Sequence, residues 1–292
     1  MLLRLGIHLY TFGSLEKAAR RAAEIGAETF QIFSASPRMW RAGTPDPVQV
    51  RRLQCIRERH AIHPLVIHVN YLINLASEDP EIHAKSIAAF HGELERAVAI
   101  GAEYLVVHPG SYRGSSPDRA IANFVNGLSK ATVGVPTRTV TVLIENTAGA
   151  GCHLGSRFEE LRDIRRLAAE STDLPIGYCL DTCHLFAAGF DITTPLGLRR
   201  TIRQADELLG IANVHLIHAN DSKAPLGSKI DRHARIGHGQ IGVEPFRRIL
   251  AHPKLRRKVF ISETPVETDG DDRRNLETLK ALAPRSRRVP PA

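Results

Sequence analysis

The chain has 292 residues, 43% of them hydrophobic, which is enough for a sizeable core, and it carries a formal net charge of +8. No apolar run reaches the roughly 20 residues of a membrane helix, and the start Met1-Leu-Leu-Arg-Leu-Gly-Ile-His8 has none of a signal peptide's parts, so a cytoplasmic protein with no membrane partner is expected. Four cysteines, at 55, 152, 179 and 183, do not suggest a disulfide scaffold in a chain of this length; with no CxxC pair present, Cys179 and Cys183 read as core thiols, while the basic balance fits a polyanionic partner.

From the N-terminus onward one alternation repeats: a β-branched apolar run, then a segment with apolar residues three and four apart. The runs are 3–9, 29–33, 65–69, 104–108, 140–145, 176–181, 214–218 and 259–263. The helical segments are 15–25, 47–60, 80–100, 117–130, 158–170, 195–209, 243–251 and 271–282, several with Pro or Asp at the first turn. Alternation of this kind implies parallel strands joined by right-handed crossovers. Eight units predict a single α/β domain, a closed (β/α)₈ TIM barrel over residues 1–283. A basic, Pro-rich tail, 284–292, reads as disordered.

The ends of these runs carry the chemistry. Seven of eight carry a polar residue at, or one before, the end: His8, His68, His108, Glu145, Asp181, His218 and Glu263. His184 follows Asp181 by three, and Asp231-Arg-His233 closes the long segment after residue 218. In extended chain, i and i+2 share a face, so Asp231 and His233 can grip one cation together. Each residue alone reads as an ordinary cap or loop group. Nine of them converging where barrel enzymes keep their active sites read as metal ligands: His68, His108, Glu145, Asp181, His184, His218, Asp231, His233 and Glu263. Four are carboxylates, which repel one another in a dry cavity unless cations intervene. Imidazole and carboxylate without thiolate suit Zn²⁺, Mn²⁺ or Fe²⁺ better than Mg²⁺. Nine ligands exceed one tetrahedral ion, so two or three ions with a bridging carboxylate are expected.

Longer motifs around these residues resemble the endonuclease IV family of apurinic/apyrimidinic (AP) endonucleases, along almost the full length. They are His68-Val-Asn-Tyr-Leu-Ile-Asn-Leu75, His108-Pro-Gly-Ser111, Ile144-Glu-Asn-Thr-Ala-Gly149, Cys179-Leu-Asp-Thr-Cys-His184, His218-Ala-Asn-Asp-Ser-Lys223, Asp231-Arg-His233 and Glu263-Thr-Pro265. The resemblance implies a three-zinc barrel that cuts double-stranded DNA 5′ to abasic sites and trims blocked 3′ ends. One Zn²⁺ would take His68, His108 and Glu145; a second would share Glu145 and add Asp181, His218 and Glu263; a third would take His184, Asp231 and His233. Glu145 would also be catalytic, with Mn²⁺ or Fe²⁺ as substitutes in one or more sites. Arg38 and Trp40 resemble the loop that enters DNA at the lesion, Tyr71 and Leu72 its partner loop, and Lys223 and Lys229 phosphate contacts. Packing aromatics and solvated lysines are the competing readings of these residues. His8 is expected near the site without being a ligand.

Three residues depart from the family pattern: Tyr10 and Phe12, where small residues are usual, and His238, where Glu is usual. The departures bear on DNA contacts and lesion preference. A monomer acting in the cytoplasm, at the nucleoid during repair, is expected. The alternatives are a metal-dependent sugar isomerase or epimerase on the same barrel, and a protein that binds abasic DNA without cutting it.

Overall fold

A computed structural model describes residues 3–11, 13–268 and 270–284. The expectations for Phe12 and for most of the basic tail lie outside the described residues.

Eight strands close the barrel: β1 (Arg4–His8), β2 (Thr29–Phe33), β3 (Leu65–His68), β4 (Tyr104–Val107), β5 (Thr141–Glu145), β6 (Ile176–Asp181), β7 (Val214–His218) and β10 (Val259–Ser262). Each pairs in parallel with its neighbours, in the order β1-β10-β7-β6-β5-β4-β3-β2. The crossovers are α1 (Leu15–Glu24), α2 (Pro47–Arg59), α3 (Pro80–Ile100), α4 (Pro117–Ala131), α5 (Phe158–Ala169), α7 (Pro195–Leu209), α8 (Val243–Ala251) and α9 (Asp271–Leu282). Asp46, Asp79, Ser116 and Thr194 start four of these helices by accepting a backbone N–H, each with Pro in the first turn. That chemistry is why the expected helix starts and the observed ones agree there.

Strand periodicity sorts the side chains into two cores. One parity of each strand packs outward under the helices, as Leu65 and Ile67 do on β3. The other fills the barrel with Val66, Val106, Leu143, Cys179, Leu216 and Ile261, all buried. Two residues further along each of those strands, on the same inward face, stand His68, His108, Glu145, Asp181, His218 and Glu263. The apolar plug is therefore the floor on which the polar cluster rests.

Among the described residues, besides two 3₁₀ turns at Thr137–Thr139 and Ile211–Asn213, three elements were not expected. A short helix, α6 (Thr182–Ala187), begins directly from β6, with every side chain buried. Strands β8 (Asp221–Ser222) and β9 (His233–Ala234) pair antiparallel and close the base of the loop after β7. The ladder also stops one residue short of His108 and of Glu263. At Glu263 the reason is visible: its N–H leaves the sheet for Asn220 Oδ1, at 2.7 Å.

Candidate metal centre

All nine expected ligands meet at the C-terminal mouth of the barrel. Among the described residues five groups have donor atoms lying within 4.8 Å of one another, two with a cysteine and three made of expected ligands alone: His68, His108 and Glu145; Glu145, Asp181, His218 and Glu263; and His184, Asp231 and His233. These coincide with the three sets that the family resemblance implies. His8 belongs to none of them.

Glu145 joins the first two groups. Its Oε2 lies 3.3 Å from His68 Nε2 and 3.6 Å from His108 Nε2, while its Oε1 lies 2.8 Å from His218 Nδ1. Glu263 Oε2 approaches the same Nδ1 at 3.2 Å. In the third group His184 Nε2 is 3.1 Å from Asp231 Oδ2, and His233 Nε2 is 3.3 Å from Asp231 Oδ1. Sequence spacing had anticipated that last pair.

The residues fit cations on a specific ground. Imidazole can ligate only through an unprotonated nitrogen, and the other nitrogen's hydrogen bond decides which one that is. His68 Nδ1 faces the Val69 carbonyl at 2.8 Å and His184 Nδ1 the Asn146 carbonyl at 2.9 Å. A carbonyl only accepts, so both Nδ1 atoms carry a hydrogen, which leaves Nε2 as the nitrogen each ring can offer a cation once the ring is neutral. His184 Nε2 and His233 Nε2 are buried yet make no well-directed hydrogen bond, despite their nearness to Asp231. Buried nitrogens gathered round a carboxylate with no directed bond between them suit a cation in place of protons.

Charge tells the same story. Burial alone would neutralise these groups, but at several of them their neighbours prevail. Burial opposes ionisation of Glu145, yet His218, His108 and His68 hold its carboxyl well below the usual range. His184 is pushed up to about 10 because the Asp181 and Asp231 carboxylates outweigh burial. Glu263 falls to about 2 against burial, chiefly through His218. At His108 burial wins, and its imidazole drops to about 4. A cation replacing those shared protons would face ionised carboxylates and neutral imidazoles.

Two thiols lie close by, Cys179 beside Glu145 and His218, and Cys183 beside Asp181 and His233. Burial holds both protonated, Cys183 at about 12, so neither offers the thiolate that a metal prefers.

Sequence reasoning passed over the residues that brace this cluster. Asn220, fully buried, donates from Nδ2 to Asp181 Oδ2 at 2.6 Å and to Glu263 Oε2 at 3.2 Å. Asn146 Oδ1 accepts the Asp181 N–H at 2.7 Å. Asp181 Oδ1 accepts the His184 N–H at 2.7 Å, capping α6 and setting where His184 points. Gln31, on β2, touches both His218 and Glu263. Its signal was available: a polar residue on the inward face of an otherwise apolar strand.

The mouth is a cavity of about 180 Å³, rimmed on one side by Tyr10, Phe33 and Tyr71. A larger hollow, about 600 Å³, adjoins it between the loops after β1 and β2. Tyr71 is exposed, with its ring edge-on to Phe33 at 5.3 Å, and its N–H donates to the Pro37 carbonyl at 3.1 Å, tying the loops after β2 and β3 together. Leu72 is half-buried beside it, and Arg38 is exposed on the other loop. Trp40 packs against the main core. Lys223 and Lys229 are exposed on the loop after β7, as is His238 further along. Tyr10 is exposed at the rim.

Residues 19–284 match the xylose isomerase-like TIM barrel family. The chain is 68% identical over 281 residues to the probable endonuclease 4 of Solibacter usitatus, covering 96% of this chain and 97% of that one. It is 41% identical over 281 residues to an endonuclease 4 of Thermus thermophilus, covering 95% and 97%. The chain belongs to the endonuclease IV family. Membership makes it a DNA-repair endonuclease, and so a hydrolase. A crystal structure of endonuclease IV from Thermus thermophilus overlays with a TM-score of 0.83 at 39% identity, covering 96% of this chain and 98% of that one. A D-tagatose 3-epimerase-like protein, 19% identical with a TM-score of 0.69 and 97% of each chain covered, shares the barrel alone. Together with that membership, the buried His, Glu and Asp groups indicate metal ions. Among the described residues no helix is long and apolar enough to cross a membrane.

Proposed function

We propose that this chain hydrolyses the phosphodiester on the 5′ side of abasic sites in double-stranded DNA and clears blocked 3′ ends. Incision would leave a 3′-hydroxyl and a 5′-deoxyribose phosphate. The observation that carries the reading is the gathering of nine donor side chains at one mouth, where the groups made of expected ligands alone are three and two of those share Glu145. Three divalent cations would be held there, zinc being favoured by the mix of imidazole and carboxylate, with Mn²⁺ or Fe²⁺ as substitutes. When bound, they supply Lewis acidity and the positive charge that lets an anionic ester approach.

The chain's own residues do the rest. Glu145 offers one oxygen to the His68 and His108 side and the other to the His218 side, which fixes the spacing of the first two groups. That position also makes it the carboxylate to orient an attacking water. His184, Asp231 and His233 lie across the mouth, on the side where the departing 3′ oxygen would emerge. Tyr10, Phe33 and Tyr71 wall off bulk water. The reacting phosphate has to reach a recessed cluster, so the duplex must distort at the lesion. Arg38 and Trp40 on one loop, Tyr71 and Leu72 on its tied neighbour, would enter it there, with Lys223 and Lys229 on flanking phosphates. A monomer leaves the mouth open to a bent duplex.

The test is incision of an end-labelled duplex bearing one synthetic abasic site, by protein before and after strong chelation, with Glu145→Gln as control. Cleavage 5′ to the lesion, abolished by chelation and in the variant, is expected. Protein shown to carry its metals that leaves this duplex intact, or that instead turns over ketoses with Mn²⁺, would sink the reading.

A further inference from the structure

Gln31 is fully buried, in register with His8 on β1 and with Val66 of the floor on β3, and its carboxamide touches three of the groups around the mouth. Nε2 lies 2.5 Å from Glu263 Oε1 and 2.9 Å from His8 Nδ1, and Oε1 lies 2.8 Å from His218 Nε2. The two ends of an amide look alike in shape, so their assignment has to come from the partners. An ionised carboxylate only accepts, which requires the amide group facing Glu263 to be the NH₂. The oxygen therefore faces His218 Nε2, and two acceptors cannot bond, so His218 Nε2 carries the hydrogen. With Nε2 committed to Gln31, Nδ1 is the nitrogen left for a cation; in the chain as it stands Nδ1 donates to Glu145 Oε1 at 2.8 Å, with Glu263 Oε2 at 3.2 Å, and a cation would take the place of that hydrogen.

The second amide N–H reaches His8 Nδ1, which must be bare to accept it. His8 is thereby held with its hydrogen on Nε2. That atom is buried and without a hydrogen-bond partner, in a ring that lines the mouth.

We propose that Gln31 is a positioning residue, one carboxamide that sets the tautomers of His218 and His8 and steadies Glu263 between them. This rests on the reading of His218 and Glu263 as cation ligands. It adds a residue outside the nine whose loss unsettles one group in particular. Gln31 contacts neither the ligand set built on His68 and His108 nor the one built on Asp231, so its effect falls on the group centred on His218.

Histidine-labelled, zinc-loaded protein observed by long-range ¹H–¹⁵N correlation tests the tautomers directly. The expected spectrum has one histidine metal-bound at Nδ1 and protonated at Nε2, assigned to His218 by its loss in His218→Gln. Gln31→Met keeps the side-chain volume and removes all three hydrogen bonds. In that variant, zinc retention against a chelator should fall about 10- to 100-fold for one of the three ions, the usual cost of losing a ligand's outer partner, with the other two retained. The incision kcat should fall with KM for DNA unchanged. His218 bound through Nε2 in the native protein, or Gln31→Met holding all its zinc as tightly as the native chain, would overturn the proposal while leaving the nuclease reading intact. A native chain that holds no zinc and does not incise would sink both. The native spectrum does not depend on Gln31→Met, so a failure of that variant to fold leaves the test in force.

Discussion

The two sides of the metal mouth are built differently. On one side, six side chains stand on barrel strands or at their ends, two positions beyond the apolar residues of the floor, and Glu145, Asp181 and His218 are wholly buried. On the other, His184 rides a helix of six residues, Asp231 comes from the loop after β7, and His233 from the two-residue strand β9 that closes that loop. Asp231 keeps 53% of its side chain exposed. The strand side inherits its geometry from hydrogen-bonded register. The loop side has to be tied down piece by piece: by the β8–β9 pair at its base, and by the N–H groups of Gly227 and Lys229 donating to the carbonyls of Phe186 and Ala187 on α6.

That contrast sets an order of expected effects. Glu145→Gln should be the most damaging, because it weakens two groups at once from within the rigid side. We expect a loss of incision on the order of 10³-fold or more, within the range for a positioned acid–base or charged group, and two of three ions loosened in metal analysis. Asp231→Ala should remove one ion and leave two, with incision down by roughly 10²-fold. If its metal content fell as far as that of Glu145→Gln, the two sides would not be separable. Asn220→Ala tests the bracing of the strand side. It strips hydrogen bonds from both Asp181 and Glu263, and metal retention should drop about 10- to 100-fold, as for other outer partners of ligands.

The smallest effect is a dependence on pH in the metal-free chain. His184 is held at about 10, against an ordinary 6.5, by Asp181 and Asp231 in spite of burial. A raised pKa contributes stability that is complete below 6.5 and is lost as pH climbs through 10. The difference in Tm between the chelated native protein and chelated His184→Gln should therefore shrink steadily from pH 6.5 to 10. A constant difference would show that those carboxylates do not hold the imidazolium in the folded state.

The same contrast explains what could be read from the sequence. The strand side was legible because a period of two, counted from an apolar run, puts every second residue inward and lands on His68, Glu145, Asp181 and His218. Helix starts were legible through Pro47, Pro80, Pro117 and Pro195 and the capping residues before them. Helix α6 was not, since six residues buried on every side show no amphipathic period. Strands of two residues, β8 and β9, are too short for any alternation to register. Asn220 and Asn146 look like loop asparagines until the carboxylates they brace are brought beside them in space. Of the loop residues that the sequence marks as candidate DNA contacts, Tyr71 lines the mouth, Leu72 is half-buried beside it, Arg38 is exposed, and Trp40 packs against the core.

Asp181 belongs to both sides. One of its oxygens caps α6 through the His184 N–H, and the other faces Asn220 and, at 3.8 Å, His233 Nε2. Replacement by Ala will consequently never be clean. It removes the carboxylate and also uncaps a helix, at a cost of about 1 kcal/mol, and releases the backbone that aims His184. A dead Asp181→Ala variant would say little about one ion, whereas Asp181→Asn, which keeps an oxygen for the cap, separates the lost charge from the lost helix start.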